Sequence, residues 1–181
     1  NSNTITIGAS GDTIALAGTT VTGITQGITM VDQFALTSNF SLSNGENIIT
    51  ANLARVSNGE SPGFIGTGMT ESSGIFTFPS TGIYMITFNA YASSSAAALY
   101  NTRQIQVTLN NSSYATAASS DGNFYTGTSY DSSPVQYILD VTDTANVKVR
   151  FRIDGQGTNT TLLGNSGTND TSFTFIRLGD T

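Results

Sequence analysis

Residues 74–88 read GIFTFPSTGIYMITF, and this stretch decides the fold. Two strand-like runs flank a Pro79-Ser80-Thr81-Gly82 turn. The first run sets Phe76 and Phe78 on one face. The second alternates Ile83, Met85 and Thr87 against Tyr84, Ile86 and Phe88, the period of a strand. Pro79 has no N–H to give a ladder, and Gly82 can take dihedrals closed to other residues. The stretch therefore predicts a corner between two strands.

The same period of two recurs outward in both directions, broken by clusters of Gly, Asn, Ser and Asp. Strands are predicted at Val31–Thr37, Ile48–Arg55, Ile75–Phe78, Ile83–Ala92 and Arg103–Asn110. Others are predicted at Tyr114–Ala118, Val135–Val141, Val147–Ile153 and Ser172–Leu178. No window carries a helical period. Ser93–Leu99 is alanine-rich, but too short to hold a helix alone, and reads as a loop or irregular edge. The expected fold is all-β, an antiparallel jelly-roll sandwich over residues 29–181. Long polar loops are expected at Asn58–Gly68, Asp121–Ser133 and Gly155–Asn169, where binding residues usually sit.

Composition narrows the function. The chain has 181 residues, of which 10% are charged, with a net charge of −6. A negative field repels phosphate, so nucleic acid is not an expected partner. No run of about 18 apolar residues exists, so no membrane insertion is expected. There is no cysteine and no histidine. Disulfides, thiolate chemistry and the usual triad base are absent with them.

Residues 1–28 differ from the rest. Thr4-Ile5-Thr6-Ile7-Gly8 and Asp12-Thr13-Ile14-Ala15-Leu16-Ala17-Gly18 each carry an alternating aliphatic pair and close on Gly. Thr20-Val21-Thr22-Gly23-Ile24 is a looser unit. Such a segment cannot bury its apolar face alone and needs copies along the chain or from sister chains. It is similar to the shaft segments that precede receptor-binding heads in bacteriophage tail fibres.

The corner itself resembles the signature of the C1q globular-head family. That signature is a Phe, five residues, Gly, any residue, Tyr, then alternating aromatics. Here these are Phe76, Gly82, Tyr84 and Phe88, with Ile86 in place of one aromatic. The run Asn169 to Leu178, with Phe173 after Ser172, resembles the family's last strand, without its internal Gly. Leu139-Asp140-Val141-Thr142-Asp143 resembles its Leu-acidic-Val-Gly-Asp turn, with Thr142 for the Gly. The resemblance implies the jelly roll shared with tumour-necrosis-factor-like proteins, and a homotrimer. No collagen-like Gly-X-Y stretch precedes the head, and the shaft-like segment fits viral or bacterial surface fibres better.

Charged and aromatic residues supply the site candidates. Val135, Tyr137, Leu139 and Val141 share one face, as do Val147, Val149, Phe151 and Ile153. Pairing Val141 with Val147 in a hairpin keeps all eight on one side. The other face then carries Lys148, Arg150 and Arg152, three of the six positive charges. In that register they face Asp140, Ile138 and Gln136. They read either as a solvated face with acids on another strand, or as a contact for a subunit or an anionic group such as an acidic sugar. Tyr125 and Tyr130, in a predicted loop, suit sugar stacking, a protein anchor, or a place in a minor core or at a trimer axis. Asp121-Gly122-Asn123, Asp154-Gly155-Gln156 and Asn165 to Asp170 offer oxygen ligands of the kind Ca²⁺ takes. None has EF-hand spacing, and Asx turns explain them without a metal. No cofactor is otherwise expected.

The expected function is a non-enzymatic, homotrimeric head of a viral fibre, most simply a bacteriophage's. It would be displayed on the virion or outside the cell and bind a host-surface glycan or protein. The alternatives are a structural trimerisation or capsid-decoration module, a bacterial surface or spore-coat head, and a two-carboxylate carbohydrate enzyme.

Overall fold

The computed structural model describes residues 11, 27–55 and 63–181. The shaft-like reading of residues 1–28 lies almost wholly outside the described residues. Within them the chain forms fourteen strands, numbered in chain order from β1 (Met30–Leu36), and no helix. One sheet runs β2 (Phe40–Ser41), β13 (Thr160–Leu162), β8 (Gly82–Ser94), β14 (Ser172–Gly179), β1 and β4 (Leu53–Arg55). β11 (Ser129–Val141) lines the free side of β8, and β5 (Phe64–Ile65) pairs with β1. The other sheet runs β10 (Ala115–Phe124), β9 (Ala98–Thr108), β12 (Lys148–Gly155), β7 (Ile75–Thr77) and β6 (Thr70–Ser72). β3 (Gly45–Ile48) extends it from β12. All pairings are antiparallel. The fold is the expected jelly-roll sandwich.

The Pro79–Gly82 corner does more than reverse the chain. β7 belongs to the six-stranded sheet and β8 to the eight-stranded one, so the corner carries the chain from one layer to the other. Phe76 enters the core from one sheet, while Tyr84, Ile86 and Phe88 enter from the other, all at 0% exposure. Gly82 has φ +144°, and a Cβ there would lie 2.5 Å from Arg177 Nε and 2.6 Å from the Gly179 carbonyl oxygen. Only glycine fits that approach without displacing β14. The Tyr84 hydroxyl donates to the Ser80 carbonyl at 3.0 Å, closing the corner with the ring that also packs on Phe78.

The core is an aromatic cluster. Phe34, Phe88, Phe173 and Phe175 come from the eight-stranded sheet and meet Phe76 and Phe151 from the other. Phe88 and Phe173 stack with ring centroids 5.1 Å apart and an interplanar angle of 11°. Each buried Phe contributes about 1.5–3 kcal/mol. Phe76, Gly82, Tyr84, Phe88 and Phe173, the residues that carry the family resemblance, thus all serve packing or the corner.

The hairpin expected over Val135–Ile153 does not form. β11 pairs with β8, placing Val141 beside Gly82, and β12 pairs with β9, β7 and β3. The turn after Val141 crosses between sheets, so the two apolar faces meet across the core instead of lying side by side. Ile48–Arg55 is two short strands, β3 and β4, in different sheets. Most of Asp121–Ser133, expected as a long loop, is strand, leaving Tyr125–Thr128 as the connection. Four further short strands, β2, β5, β6 and β13, fall in stretches with too few residues to show a period.

Candidate functional site

The sandwich presents two outer faces of opposite chemistry. On the eight-stranded sheet, Val31, Ile176, Met85 and Ile138 stand in register across β1, β14, β8 and β11. The four side chains form an aliphatic row because each alternates with a core residue on its own strand. Ile138, on the edge strand, is 61% exposed. One pleat further along, Gln33, Thr174, Thr87 and Gln136 form a second row. Gln33 Nε2 donates to Thr174 Oγ1 at 2.7 Å and Gln136 Nε2 to Thr87 Oγ1 at 3.2 Å. Beyond these, Tyr91 and Tyr130 lie with ring centroids 6.0 Å apart. Among the outward side chains of these four strands Asp140, near the end of β11, is the charged one. A cleft of about 430 Å³ opens beside this face between β10 and β11, lined by Leu109, Ala117, Tyr137 and Leu139 among others.

The outer face of the six-stranded sheet holds the cations. Lys148, Arg150 and Arg152 alternate with Val149, Phe151 and Ile153, which point into the core. Their neighbours differ from those expected, because β12 lies between β9 on one side and β7 and β3 on the other. Lys148 sits between Thr108 and Thr77, Arg150 between Gln106 and Ile75, and Arg152 between Gln104 and Ile48. Arg152 pairs with Glu46 at 2.6 Å and Asp154 at 3.3 Å. Arg150 Nε donates to Gln106 Oε1 at 2.8 Å, and its guanidinium lies 4.1 Å from the centre of the Tyr114 ring. Lys148 Nζ donates to the Thr144 carbonyl at 2.6 Å. Burial pushes the Tyr114 phenol pKa up, and Arg150 opposes the shift in part. The acids-on-another-strand reading is thus met at Arg152, through Glu46, and is not met at Arg150 or Lys148.

The two expected sets of contact residues are not brought together. Tyr125, 75% exposed, lies in the turn after β10, which ends beside Ala98. Tyr130 faces out from β11 on the opposite sheet, in register with Ser93. Lys148 lies at the other end of the sandwich, beside Thr108.

Two inward ion pairs went unpredicted. Asp32 is fully buried, accepts from Arg55 Nε and Nη2 through both carboxylate oxygens and takes the Met69 N–H at 2.6 Å. Arg103, also fully buried, donates to Asp131 across the two sheets. Burial lowers the Arg103 pKa, and Asp131 offsets this. Parity was the available signal: Asp32 alternates in step with Met30 and Phe34, and Arg103 with Ile105 and Val107. Around this pair Asn101 Oδ1 and Nδ2, Arg103 Nε and Ser120 Oγ are buried without a partner.

Of the oxygen-rich stretches, residues 121–123 and 154–155 lie in strands β10 and β12, and their side chains bond within the protein. Asp121 Oδ1 accepts from Thr102 Oγ1 at 2.5 Å, and Asn165 Oδ1 takes the Gly167 N–H at 2.8 Å. Among the described residues no three acidic side chains converge as a metal site would need.

No protein-family model matches the chain, and no curated protein matches it. Solved structures do. Murine APRIL, a tumour-necrosis-factor family protein, matches in crystals at pH 8.5 with a TM-score of 0.57 and 13% identity. At pH 5.0 the TM-score is 0.59 with 12% identity. Both comparisons cover 82% of this chain and 98% of APRIL. At this identity the likeness establishes a shared tumour-necrosis-factor-like fold, and the fold alone.

Proposed function

We propose that this chain is the non-enzymatic head domain of a homotrimer, assembled through the outer face of its eight-stranded sheet. The observation that carries the reading is the aliphatic row Val31–Ile176–Met85–Ile138 on a face that is nearly free of charge. Depletion of charge around an apolar centre is the compositional mark of a subunit interface. The row of amides and hydroxyls beside it can exchange partners with a second copy, and Tyr91 and Tyr130 extend the contact area. The resemblance to C1q and tumour-necrosis-factor-like heads supports three-fold symmetry. The composition supports a non-enzymatic role, because no histidine or cysteine is present and Lys148, the single lysine, is bonded to a carbonyl.

The finer reading is a fibre head exposed on a virion, or otherwise outside the cell, that binds a host-surface glycan or protein. The repetitive Gly/Thr-rich units of residues 1–28 support it. Sedimentation velocity with mass measurement tests the assembly. A trimer is expected, and a stable monomer at micromolar concentration overturns it. Binding of labelled head to candidate host cells tests the receptor role, and no saturable binding overturns that part.

A further inference from the structure

The chain carries twelve acids and six cations, so every cation could have an acidic partner. Four do: Arg55, Arg103, Arg152 and Arg177 each lie within 4.0 Å of a carboxylate. Among the described residues Lys148 and Arg150 do not. These two are neighbours on one face of β12, separated by one inward residue. Two like charges side by side on a strand repel, and nothing around them neutralises both. Asp143, in the turn before β12, lies near enough to be influenced by Lys148 but bonds to Asn146 and Ala145 instead.

The surroundings hold the pair in place and leave it unsatisfied. Gln106 takes one guanidinium N–H of Arg150 and is itself linked through Gln104 and Thr116. The Tyr114 ring covers the guanidinium, so its free edge is the direction left for a ligand. The Tyr114 hydroxyl is buried and has no partner. With its pKa raised it stays protonated, which leaves it an O–H to donate.

We propose that Lys148, Arg150 and Tyr114 form a binding site for the carboxylate of an acidic sugar. A guanidinium edge matches a carboxylate in plane, and the ammonium adds a point charge beside it. Gln104, Gln106 and Thr116, bonded to one another, border the site and hold the Gln106 oxygen on Arg150. The chain's net charge of −6 repels polyanions at a distance and favours a compact monoanion. The site lies on the sheet opposite the proposed assembly face and does not depend on the trimer. Arg150 is half-buried there, while Lys148 is 8% exposed and the Tyr114 hydroxyl is buried, so a ligand meets the guanidinium edge first.

The test is a titration of the whole chain with glucuronate, followed on the backbone amide resonances of residues 148–152, with glucose, N-acetyl-aspartamide and sulfate as comparisons. A saturable shift with glucuronate, absent with glucose, is expected. Arg150→Gln should weaken it by about ten- to a hundredfold, the range for a charge-assisted hydrogen bond. Lys148→Met should weaken it comparably, and Tyr114→Phe by about three- to tenfold. Arg177→Gln, on the other sheet and paired with Asp180, should leave it unchanged. Equal binding of N-acetyl-aspartamide or sulfate overturns the acidic-sugar assignment. Undiminished binding by folded Arg150→Gln or Lys148→Met, or no saturable shift with glucuronate, overturns the site itself.

Discussion

Arg103 on β9 donates to Asp131 on β11, joining the two sheets through a guanidinium with no solvent exposure. The space around them is kept by Gly122, whose missing Cβ leaves room for both side chains. Asp131→Asn removes the charge and keeps the shape, leaving Arg103 buried and unpaired. A loss of about 3–5 kcal/mol is expected in denaturant unfolding. Replacing both residues together, Arg103→Met with Asp131→Leu, should recover much of that loss, because the uncompensated charge is what costs. An additive double variant would refute the coupling.

Gly82 makes the crossing between layers possible. Gly82→Ala combines an unfavourable φ with contacts to Arg177 and the Gly179 carbonyl. A destabilisation of about 1–3 kcal/mol is expected. Thermal unfolding of the variant beside the parent chain measures it, and unchanged stability would mean that the corner tolerates a side chain.

Assembly and folding should separate at Ile138. This side chain is exposed on an edge strand, so Ile138→Lys should leave monomer stability within about 0.5 kcal/mol. It places a charge at the end of the aliphatic row and should shift the sedimenting species from trimer toward monomer. A variant trimer as stable as the parent would remove this face from the assembly.

Asp143 is a local source of acid sensitivity among the described residues. The Asp143 carboxylate accepts from Asn146 Nδ2 at 2.6 Å and from the Ala145 N–H at 2.8 Å. The Asn146 bond leads, and the two together hold its pKa below the usual carboxylate range. A depressed folded pKa means the turn's contribution is fully present above the unfolded pKa and is lost as pH falls through the folded value. Asp143→Asn should therefore flatten this part of the acid limb. Unfolding midpoints at neutral and acid pH, compared between the two chains, measure the difference.

The face of each strand was legible and the partner often was not. Alternation correctly put Val135, Leu139 and Val141 inside, and likewise Val147, Val149, Phe151 and Ile153. Period two says which side of a strand is buried. It does not say whether the neighbouring segment lies beside it in one sheet or opposite it in the other. Thr142–Asn146 can do either, and here it crosses. The same gap hid the partners of Arg150, since Gln106 and Tyr114 reach it from β9 and from the turn before β10. The corner at residues 79–82 was legible because Pro and Gly encode it within four residues. The buried pairs at Asp32 and Arg103 were encoded by parity as well, and needed only a charge at an apolar position to be taken at face value.

Phe78 and Tyr84 touch across the corner with ring centroids 4.7 Å apart. They are near in sequence, yet the strands leading from them belong to different layers. Most other contacts between layers close long loops, whose entropy must be spent before the contact forms. This pair closes a short one. The corner is thus one place where the two sheets can be held together early, as is the short crossing at Thr142–Asn146. Weakening the Phe78–Tyr84 contact should slow folding more than it speeds unfolding, whereas weakening contacts formed later, such as that between Arg103 and Asp131, should do the reverse.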